Sequence, residues 1–342
     1  MPEFSPQPEI KSEFELRREA FAERINIKSQ WESQVKALNE AGILETLPES
    51  HSFGIVGIDG KEYQLPKYQE IISNIDEEQL NILEQKNEQG FSKMLLVPFA
   101  MPLDILIDRF KRLILKHHQE SKLLSTDGTK LDLDTNDPFS VWDQLKQADQ
   151  KPRIDKDALF YYPQNFDKDP NIHQGKTKQE ILDSQEHLNI KTQEQDDKIT
   201  IKQKDKEYNF LTSPGWQIML VEDLPDLPAE GKGKIQGGRK QLEANQSAEQ
   251  YLESIQTKKE YKHESGCIPE SEITYAITQL IQTNQMIDNY SGKGKACRLF
   301  GSYFSGYVPL FFWYRGVLQA NLYRAYSGIR DEYYGSRSAV IF

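Results

Sequence analysis

The sequence predicts an α+β fold, with a helix-rich α+β region at the amino terminus and a domain of short, irregular strands at the carboxy terminus. Over the first 150 residues, segments with helical apolar spacing alternate with short apolar runs typical of strands. Near the end of the chain, short aromatic runs are broken by Gly, Pro and Ser. With 342 residues, 37% of them hydrophobic, the chain can bury a substantial core. We divide it into regions 1–150 and 151–342.

The amino-terminal region alternates between predicted helices and strands. Segments 12–41 and 67–89 are predicted helices. FGIVGIDGKEYQL is a predicted hairpin, because Asp59-Gly60 suits a tight turn between two strands. The apolar run KMLLVPFA predicts a buried strand. The next segment, MPLDILIDRFKRLILKHHQ, predicts an amphipathic helix, since Leu, Ile and Phe recur at three- and four-residue steps.

The middle of the chain predicts strands separated by polar segments. The predicted strands are 158–163, 198–203, 207–212 and 215–224. The segment GKGKIQGGRKQ predicts a flexible basic surface loop. Two helices follow, SAEQYLESIQ and 269–290, and the second has Pro269 and Ser271 as amino-terminal signals.

Charge and hydropathy exclude several classes of protein. A formal net charge of −11 argues against a nucleic-acid-binding protein, because neutralising phosphates needs clustered Lys and Arg. The amino terminus lacks the apolar segment of a secretory signal, and the longest apolar runs are too short to span a bilayer. Two cysteines, Cys267 and Cys297, indicate a reducing compartment. We predict a cytoplasmic protein without membrane insertion and leave surface export open.

Motifs for metal or phosphate binding are incomplete. Asp132, Asp134 and Asn136 match positions 1, 3 and 5 of a calcium loop. Asp137 follows where the sharp turn of that loop requires glycine, so turn and capping chemistry is the favoured interpretation. The segment 231–241 lacks the GxxxxGK[ST] pattern of a phosphate-binding loop. We expect no metal, no cofactor and no catalytic residue.

The carboxy-terminal tail differs in composition from the rest of the chain. The last lysine is Lys295, and the 46 residues from Cys297 onward hold 13 of the 36 aromatic residues. This tail contains five arginines and only two acidic residues. Tyr mixed with Ser, Gly and Asn is typical of binding surfaces, because Tyr offers a large contact area at low entropic cost. The tail therefore predicts an exposed binding surface.

The tail resembles the variable proteins of diversity-generating retroelements. The shared frame is Val308-Pro309, Trp313, Gln319-Ala320 and the closing G-[AS]-R-S-A-V at 335–340. In that family, a reverse transcriptase copies a template repeat with errors at adenines, and the copy replaces the end of the gene. Lysine codons would mutate to stops, so a lysine-free tail fits. The resemblance implies a C-type-lectin-like domain of the formylglycine-generating-enzyme-like subtype, with a variable region at about 298–342.

The resemblance also assigns roles along the tail. The scaffold residues would be Gly301, Val308, Pro309, Trp313, Gln319, Ala320, Gly335, Arg337, Ala339 and Val340. The diversified, ligand-binding residues would be Tyr307, Phe312, Tyr314, Gly316, Val317, Leu318, Asn321, Tyr323, Ala325, Tyr326, Ser327, Ile329, Tyr333 and Tyr334. Trp313 and Val340 should be buried anchors, and Arg337 should pair with a carboxylate or with carbonyls beneath the surface.

The implied function is non-enzymatic binding of a macromolecular ligand, with a protein favoured, because the tail is tyrosine-rich and mildly basic. Two alternatives stay open. The first is an enzyme related to formylglycine-generating or other oxidases of this fold, which rely on a closely placed cysteine pair; Cys267 and Cys297 are 30 residues apart. The second is a calcium-dependent lectin, although its EPN or QPD triplets and its WND motif do not occur. The oligomeric state is open.

Overall fold

The chain forms an α+β fold. The computed structural model describes residues 11–184, 211–290 and 294–342. With 35% of residues helical and 23% in strands that form small sheets, the predicted class is confirmed. The α-helices within these residues are α1 (Glu13–Arg24), α2 (Ile27–Glu40), α3 (Tyr68–Ser73), α4 (Glu77–Glu88), α5 (Leu103–Gln119), α6 (Pro170–His173), α7 (Ala248–Thr257) and α8 (Pro269–Thr283).

The strands are mostly short. In chain order they are β1 (Glu45–Thr46), β2 (Phe53–Val56), β3 (Glu62–Gln64), β4 (Phe91–Val97), β5 (Leu124–Ser125), β6 (Phe139–Val141), β7 (Phe160–Tyr161), β8 (Gln217–Glu222), β9 (Ile235–Gln236), β10 (Arg239–Lys240), β11 (Ser265–Gly266), β12 (Gln285–Met286), β13 (Ala296–Arg298), β14 (Ser302–Tyr303), β15 (Tyr307–Tyr314), β16 (Gln319–Tyr326), β17 (Tyr334–Gly335) and β18 (Ser338–Ile341). β15 and β16 are the longest, so the tail contains one extended hairpin among short strands.

Helix α8 lies at the centre of the fold, against α2, α5 and β4. Its residues 269–280 are all buried, although two glutamates are among them. Pro269 lies in the first turn, and the Ile268 amide donates to Ser271 Oγ at 2.9 Å, as the amino-terminal signals predicted. The helix ends at Thr283, before the predicted end at residue 290, because Asn284 adopts φ 61°.

A four-stranded sheet joins the two regions of the sequence. Its order is β11-β18-β8-β4, and every neighbouring pair is antiparallel. β4 precedes residue 150 while β8 and β18 follow it, so the sheet and the hydrophobic core extend across that boundary. The division of the chain at residue 150 stays a prediction about its sequence regions.

A five-stranded sheet carries the tail, in the order β17-β13-β15-β16-β6. β15 and β16 pair antiparallel over their full length, and β6 adds to β16 in parallel. Side chains alternate between the two faces of the sheet. Phe311 and Trp313 belong to the main core, whereas Leu310 and Phe312 belong to a small cluster on the outer face. The inner face is therefore fixed by the core, and the outer face is available for a site.

Two predicted helices are each interrupted. The predicted helix 12–41 is α1 followed by α2, because Asn26 adopts φ 53° between them. The predicted helix 67–89 is α3 followed by α4, and Asp76 caps α4 by accepting from the Gln79 amide at 2.8 Å. In both cases the apolar spacing continues across the break, so periodicity alone did not locate it.

The strand and loop predictions differ in outcome. The Asp59-Gly60 turn joins β2 to β3 as predicted, with Gly60 at φ 75°. The segment 231–241, predicted as a flexible loop, contains the β9–β10 hairpin, and its Arg239 is buried against Glu264 at 2.7 Å. The predicted strand 198–203 and most of 207–212 lie outside the described residues.

Candidate functional site

Aromatic rings from three segments meet on the outer face of the five-stranded sheet. We call this cluster the aromatic face: Tyr290, Phe312, Tyr314, Tyr323, Tyr333 and Tyr334. The Tyr290 ring lies at its centre, with ring centroids 5.4 Å from Phe312, 5.6 Å from Tyr314 and 5.8 Å from Tyr333. Tilted and edge-to-face contacts at these distances are favourable. The cluster is thus preformed before any ligand binds.

Backbone pairing of β15 places Tyr290 in this cluster. The Tyr290 amide donates to the Trp313 carbonyl at 2.9 Å, and the Trp313 amide donates to the Asp288 carbonyl at 2.9 Å. Because side chains alternate along a strand, Phe312 and Tyr314 lie on the face opposite to Trp313. The buried Trp313 therefore fixes the strand whose other face carries the aromatic rings.

A second cluster lies where the β15–β16 hairpin opens. We call it the arginine stack: Trp142, Tyr307, Arg324 and Tyr326. The Arg324 Cζ atom lies 4.0 Å from the ring centroid of Trp142 and 3.8 Å from that of Tyr307. The Tyr307 and Tyr326 ring centroids are 4.5 Å apart, and the Tyr307 hydroxyl donates to the Tyr326 hydroxyl at 3.0 Å. Trp142 also contacts Tyr323 at 6.3 Å, which connects the two clusters.

Most of the fourteen predicted ligand-binding residues lie at the surface. The exposed ones are Tyr314, Gly316, Val317, Leu318, Tyr326, Ile329 and Tyr333. The half-buried ones are Tyr307, Tyr323, Ala325 and Tyr334. Three tyrosines offer the largest free ring surface, with Tyr326 56%, Tyr333 47% and Tyr314 37% exposed. Aromatic area is therefore present on both clusters.

Three predicted ligand-binding residues are buried instead. Asn321 is 1% exposed, and its amide group donates to the Gln319 carbonyl at 3.1 Å. The Ser327 hydroxyl donates to Glu249 at 2.9 Å, which anchors the end of β16. Phe312 is covered by Tyr290 and forms the floor of the aromatic face. Asn321 and Ser327 therefore act as structural residues in this conformation and offer no surface to a ligand.

The predicted scaffold residues are all buried: Gly301, Val308, Pro309, Trp313, Gln319, Ala320, Gly335, Arg337, Ala339 and Val340. Trp313 and Val340 lie in the main core, as expected of anchors. Gly301 is required for close backbone approach, because a Cβ there would lie 2.1 Å from the Gly266 carbonyl oxygen. Each of these positions restricts the side chain it can hold.

Arg337 is the cation of a buried ion network between α8 and the tail. Its Nη1 and Nη2 atoms donate to the Asp288 carboxylate at 2.6 and 2.7 Å, and Nη1 also donates to Glu272. Nη2 donates to the Leu224 carbonyl at 2.9 Å. Burial raises the pKa of the Asp288 carboxyl, and Arg337 opposes that rise. The contacts of Arg337 agree with its expected pairing to a carboxylate and to carbonyls.

A second buried arginine, Arg298, shapes the loop between β16 and β17. Its guanidinium donates to the carbonyls of Tyr326 at 3.2 Å and Ile329 at 2.6 Å. The ring centroid of Tyr334 lies 4.9 Å from its Cζ atom. On the opposite side, the Asn245 amide donates to the Asp331 carbonyl at 3.2 Å. These contacts fix the loop backbone while Ile329 stays exposed at its tip.

Tyr290, Tyr307 and Tyr334 keep their hydroxyl protons at neutral pH. Burial raises the pKa of Tyr290 and of Tyr334 above the usual value, and the hydrogen bond to Tyr326 raises the pKa of Tyr307. The Lys295 ammonium lies 5.1 Å from the Tyr333 ring centroid and adds positive charge at the edge of the aromatic face. The surface is therefore aromatic, hydroxyl-bearing and locally basic.

The two cysteines lie near one another around Glu272. Both thiols are free and buried, and burial raises the pKa of each well above its usual value. The Cys297 Sγ lies 3.7 Å from Glu272, and donor atoms of Glu272, Asp288 and Cys297 lie within 4.8 Å of one another. These could be metal ligands. However, Arg337 bonds both carboxylates and already supplies the positive charge, so the residues do not fit a cation.

The calcium-loop segment forms an ordinary turn. Asp134 Oδ1 accepts from the Asn136 amide at 2.9 Å. The Asp134 amide in turn donates to the Leu318 carbonyl at 2.8 Å, which ties the segment to the β15–β16 turn. This geometry agrees with the favoured turn interpretation.

No protein-family model matches this chain, and neither the curated proteins nor the solved structures contain a detectable relative. Within residues 11–184, 211–290 and 294–342, no helix combines the length and the apolar composition that crossing a bilayer requires.

Sequence reasoning missed four residues of the site. Tyr290 was assigned to the end of a helix, and Trp142 lies far from the tail in sequence. Arg298 and Arg324 were counted only in the net charge of the tail. One signal in the sequence was available: arginine carries all the positive charge of the tail. Arg stacks on aromatic rings and bonds carbonyls better than Lys does, so these arginines were candidates for such contacts.

Proposed function

We propose that this chain is a non-enzymatic ligand-binding protein, and that the aromatic face and the arginine stack bind a macromolecular ligand, in the first place a protein. The observation that carries the proposal is the contrast between neighbours on β15, since Trp313 is fully buried and Tyr314 is exposed. Aromatic side chains on a fixed backbone lose little conformational entropy when they bind. A surface of this kind supports binding without any catalytic group.

We further propose that residues 151–342 adopt a C-type-lectin-like fold and that a retroelement diversifies the tail. Positions assigned to the scaffold are buried, and most positions assigned to diversification are at least partly exposed, which supports this proposal. Leu318 adds support, because it adopts φ 57°, a conformation that favours Gly or Asn over Leu. The residue type at position 318 is therefore not one that the backbone conformation favours.

The retroelement part of the proposal can be tested by sequencing the region around the gene. We expect a near-copy of the end of the gene that differs at adenines, beside a reverse-transcriptase gene. A locus without either would remove diversification from the proposal, and ligand binding by the two clusters would still be testable on the protein.

An enzyme of the same fold is the alternative. The closeness of Cys267 and Cys297 to Glu272 is the observation in its favour. The burial of both thiols and their raised pKa oppose nucleophilic chemistry at neutral pH, because the thiolate is the reactive form. We therefore rank binding above catalysis.

Ligand binding can be tested with a displayed library of random peptides selected on the full chain. The selected peptides are then measured against a variant with Tyr314, Tyr326 and Tyr333 replaced by Ala. We expect affinity to fall by at least about 10-fold for most peptides, because truncating exposed aromatic hot spots costs more than 1 kcal/mol each. Circular dichroism should show an unchanged fold.

The matched control is Phe53→Ala, which removes an exposed aromatic ring from β2, away from the tail. Peptides that bind the triple variant as tightly as the wild-type chain, or that depend on Phe53, would contradict the proposal.

A further inference from the structure

Arg324 differs from the other arginines described above in how it is held. Its guanidinium lies over two aromatic rings, with Cζ 4.0 Å from the Trp142 centroid and 3.8 Å from the Tyr307 centroid. Two rings cannot occupy the same side of a planar group at these distances, so the guanidinium lies between them. Stacking uses the flat faces of the group and leaves the N–H donors in its plane unblocked.

Those donors have no acceptor within the described part of the chain. Arg298 and Arg337 each bond carbonyls or carboxylates, and Arg330 bonds the Asn245 carbonyl at 2.9 Å. By contrast, Arg324 has ring contacts but neither a hydrogen bond nor an ion pair with any described residue. Its two ring contacts hold it in place, and among the described residues this partly exposed cation has no counter-charge.

We propose that Arg324 is the anchor for a carboxylate of the ligand, so that the protein recognises an acidic side chain, Asp or Glu, placed next to its aromatic contacts. This inference rests on the proposed function. A guanidinium fork bonds a carboxylate through two parallel N–H donors, and a fork whose rotamer is already fixed loses little entropy in doing so. The exposed ring of Tyr326, which belongs to the same stack, provides the neighbouring apolar contact.

The surrounding charges favour a singly charged carboxylate over a phosphate. The lysines near Trp142 are already paired, Lys111 with Asp137 at 3.2 Å and Lys146 with Asp143 at 2.7 Å. These lysines and their acidic partners line one pocket together with Trp142, so its charges cancel. A phosphate carries close to two negative charges at neutral pH, so a single guanidinium would leave part of its charge without a partner. One unpaired guanidinium matches one carboxylate.

The first experiment follows the Nε–Hε signals of ¹⁵N-labelled arginines in the full chain by nuclear magnetic resonance. Sodium acetate and inorganic phosphate are titrated separately, at an ionic strength held constant with chloride. The Arg324 signal, identified by its loss in Arg324→Lys, should move with acetate more than with phosphate. The control is the signal of Arg112, an exposed arginine on α5 that pairs with Asp108 at 2.8 Å. Its chemical shift should not change. Equal shifts of both arginines, no shift of Arg324, or a stronger response to phosphate would overturn the proposal.

The second experiment uses the peptides selected on the wild-type chain. We expect an Asp or Glu at one position, and a loss of about 10-fold in affinity on Arg324→Gln but not on Arg112→Gln. Replacing that peptide Glu by Gln should weaken binding to the wild-type chain and leave binding to Arg324→Gln unchanged. Peptides that need Tyr314, Tyr326 and Tyr333 but ignore Arg324 would overturn this inference alone. Peptides that ignore the tyrosines as well would overturn the proposed function.

Discussion

Replacing Arg337 by Met should strongly destabilise the fold, because it leaves Glu272 and Asp288 buried together without a cation. In the wild-type chain, the guanidinium bonds both carboxylates and also the Leu224 carbonyl. Removing one partner of a buried ion pair costs about 3–5 kcal/mol of unfolding free energy. For a domain with a typical total of about 5–15 kcal/mol, this is a large fraction. We therefore expect a marked loss of unfolding free energy at pH 7.

The loss of unfolding free energy in Arg337→Met should depend on pH in a defined direction. The pKa of Asp288 in the folded chain is raised above its unfolded value, mainly by burial, and Arg337 opposes the rise. The stability linked to this group is therefore complete below the unfolded pKa, near 4, and is lost as the pH rises through the folded pKa. Without Arg337 the folded pKa rises further. The stability gap between wild type and Arg337→Met should widen as the pH rises above the folded pKa of Asp288 in the wild-type chain, by up to about 1.4 kcal/mol per pH unit.

Urea denaturation followed by circular dichroism at pH 5, 6, 7 and 8 measures this gap. The control is Arg112→Met, which removes an exposed arginine paired with Asp108 within α5 and should cost less than about 1 kcal/mol at every pH. Adding Asp288→Asn to Arg337→Met should recover part of the loss, since one buried charge is then gone. A gap below 1 kcal/mol at pH 7, or one that narrows as the pH rises, would refute the role assigned to Arg337.

Three further predictions concern the two faces of β15, a second buried ion network and the turn between β15 and β16. Trp313→Ala should cost about 3–5 kcal/mol and Tyr314→Ala about 1 kcal/mol in thermal denaturation, because these neighbours lie on opposite faces of β15; similar costs would contradict the assigned faces. Lys178→Met should cost about 3–5 kcal/mol in urea denaturation, since it leaves Asp149 and Glu270 buried without their shared cation; a neutral outcome would contradict this. Leu318→Asn should stabilise by about 1 kcal/mol, as the φ of 57° suits Asn, and a raised urea midpoint would show it.

The sequence predicted the elements whose pattern is local. The amphipathic spacing of MPLDILIDRFKRLILKHHQ predicted α5, and its apolar face is buried, including Phe110 and Ile114. The Asp59-Gly60 pair predicted the β2–β3 turn, because its conformation depends on those two residues. The positions that the resemblance assigned to a scaffold are buried in the structure, among them Trp313 and the crowded Gly301. Their role as a fixed scaffold stays a prediction.

Features that depend on distant contacts could not be read from the sequence. Helix α8 was extended to residue 290 because its apolar pattern continues through Met286. In the structure, Asp288 and Tyr290 form backbone hydrogen bonds with Trp313, and these bonds bring Tyr290 into the aromatic face. The partners of Arg337 and of Lys178 lie tens of residues away, so no local pattern could have indicated the buried networks.

The same limit applies within the predicted binding surface. Asn321 and Ser327 lie between the scaffold positions that the resemblance implies and were assigned to the binding surface. Asn321 faces the crowded part of the sheet beside Gln319, and Ser327 turns toward Glu249 of α7. Whether such a polar side chain turns inward depends on the partners it finds there, and these partners are known only from the structure.

We expect the framework of the tail to tolerate many side chains at its exposed positions and few at its buried ones. Two displayed libraries of the full chain measure this as the fraction of members that resist protease. One library randomises Tyr314, Val317, Leu318, Tyr326, Ile329 and Tyr333, and the other randomises Gly301, Val308, Trp313, Ala320, Ala339 and Val340. We predict that most members of the first library stay folded and almost none of the second do. Equal resistant fractions in the two libraries would show that exposed and buried positions of the tail tolerate substitution equally, contrary to this expectation.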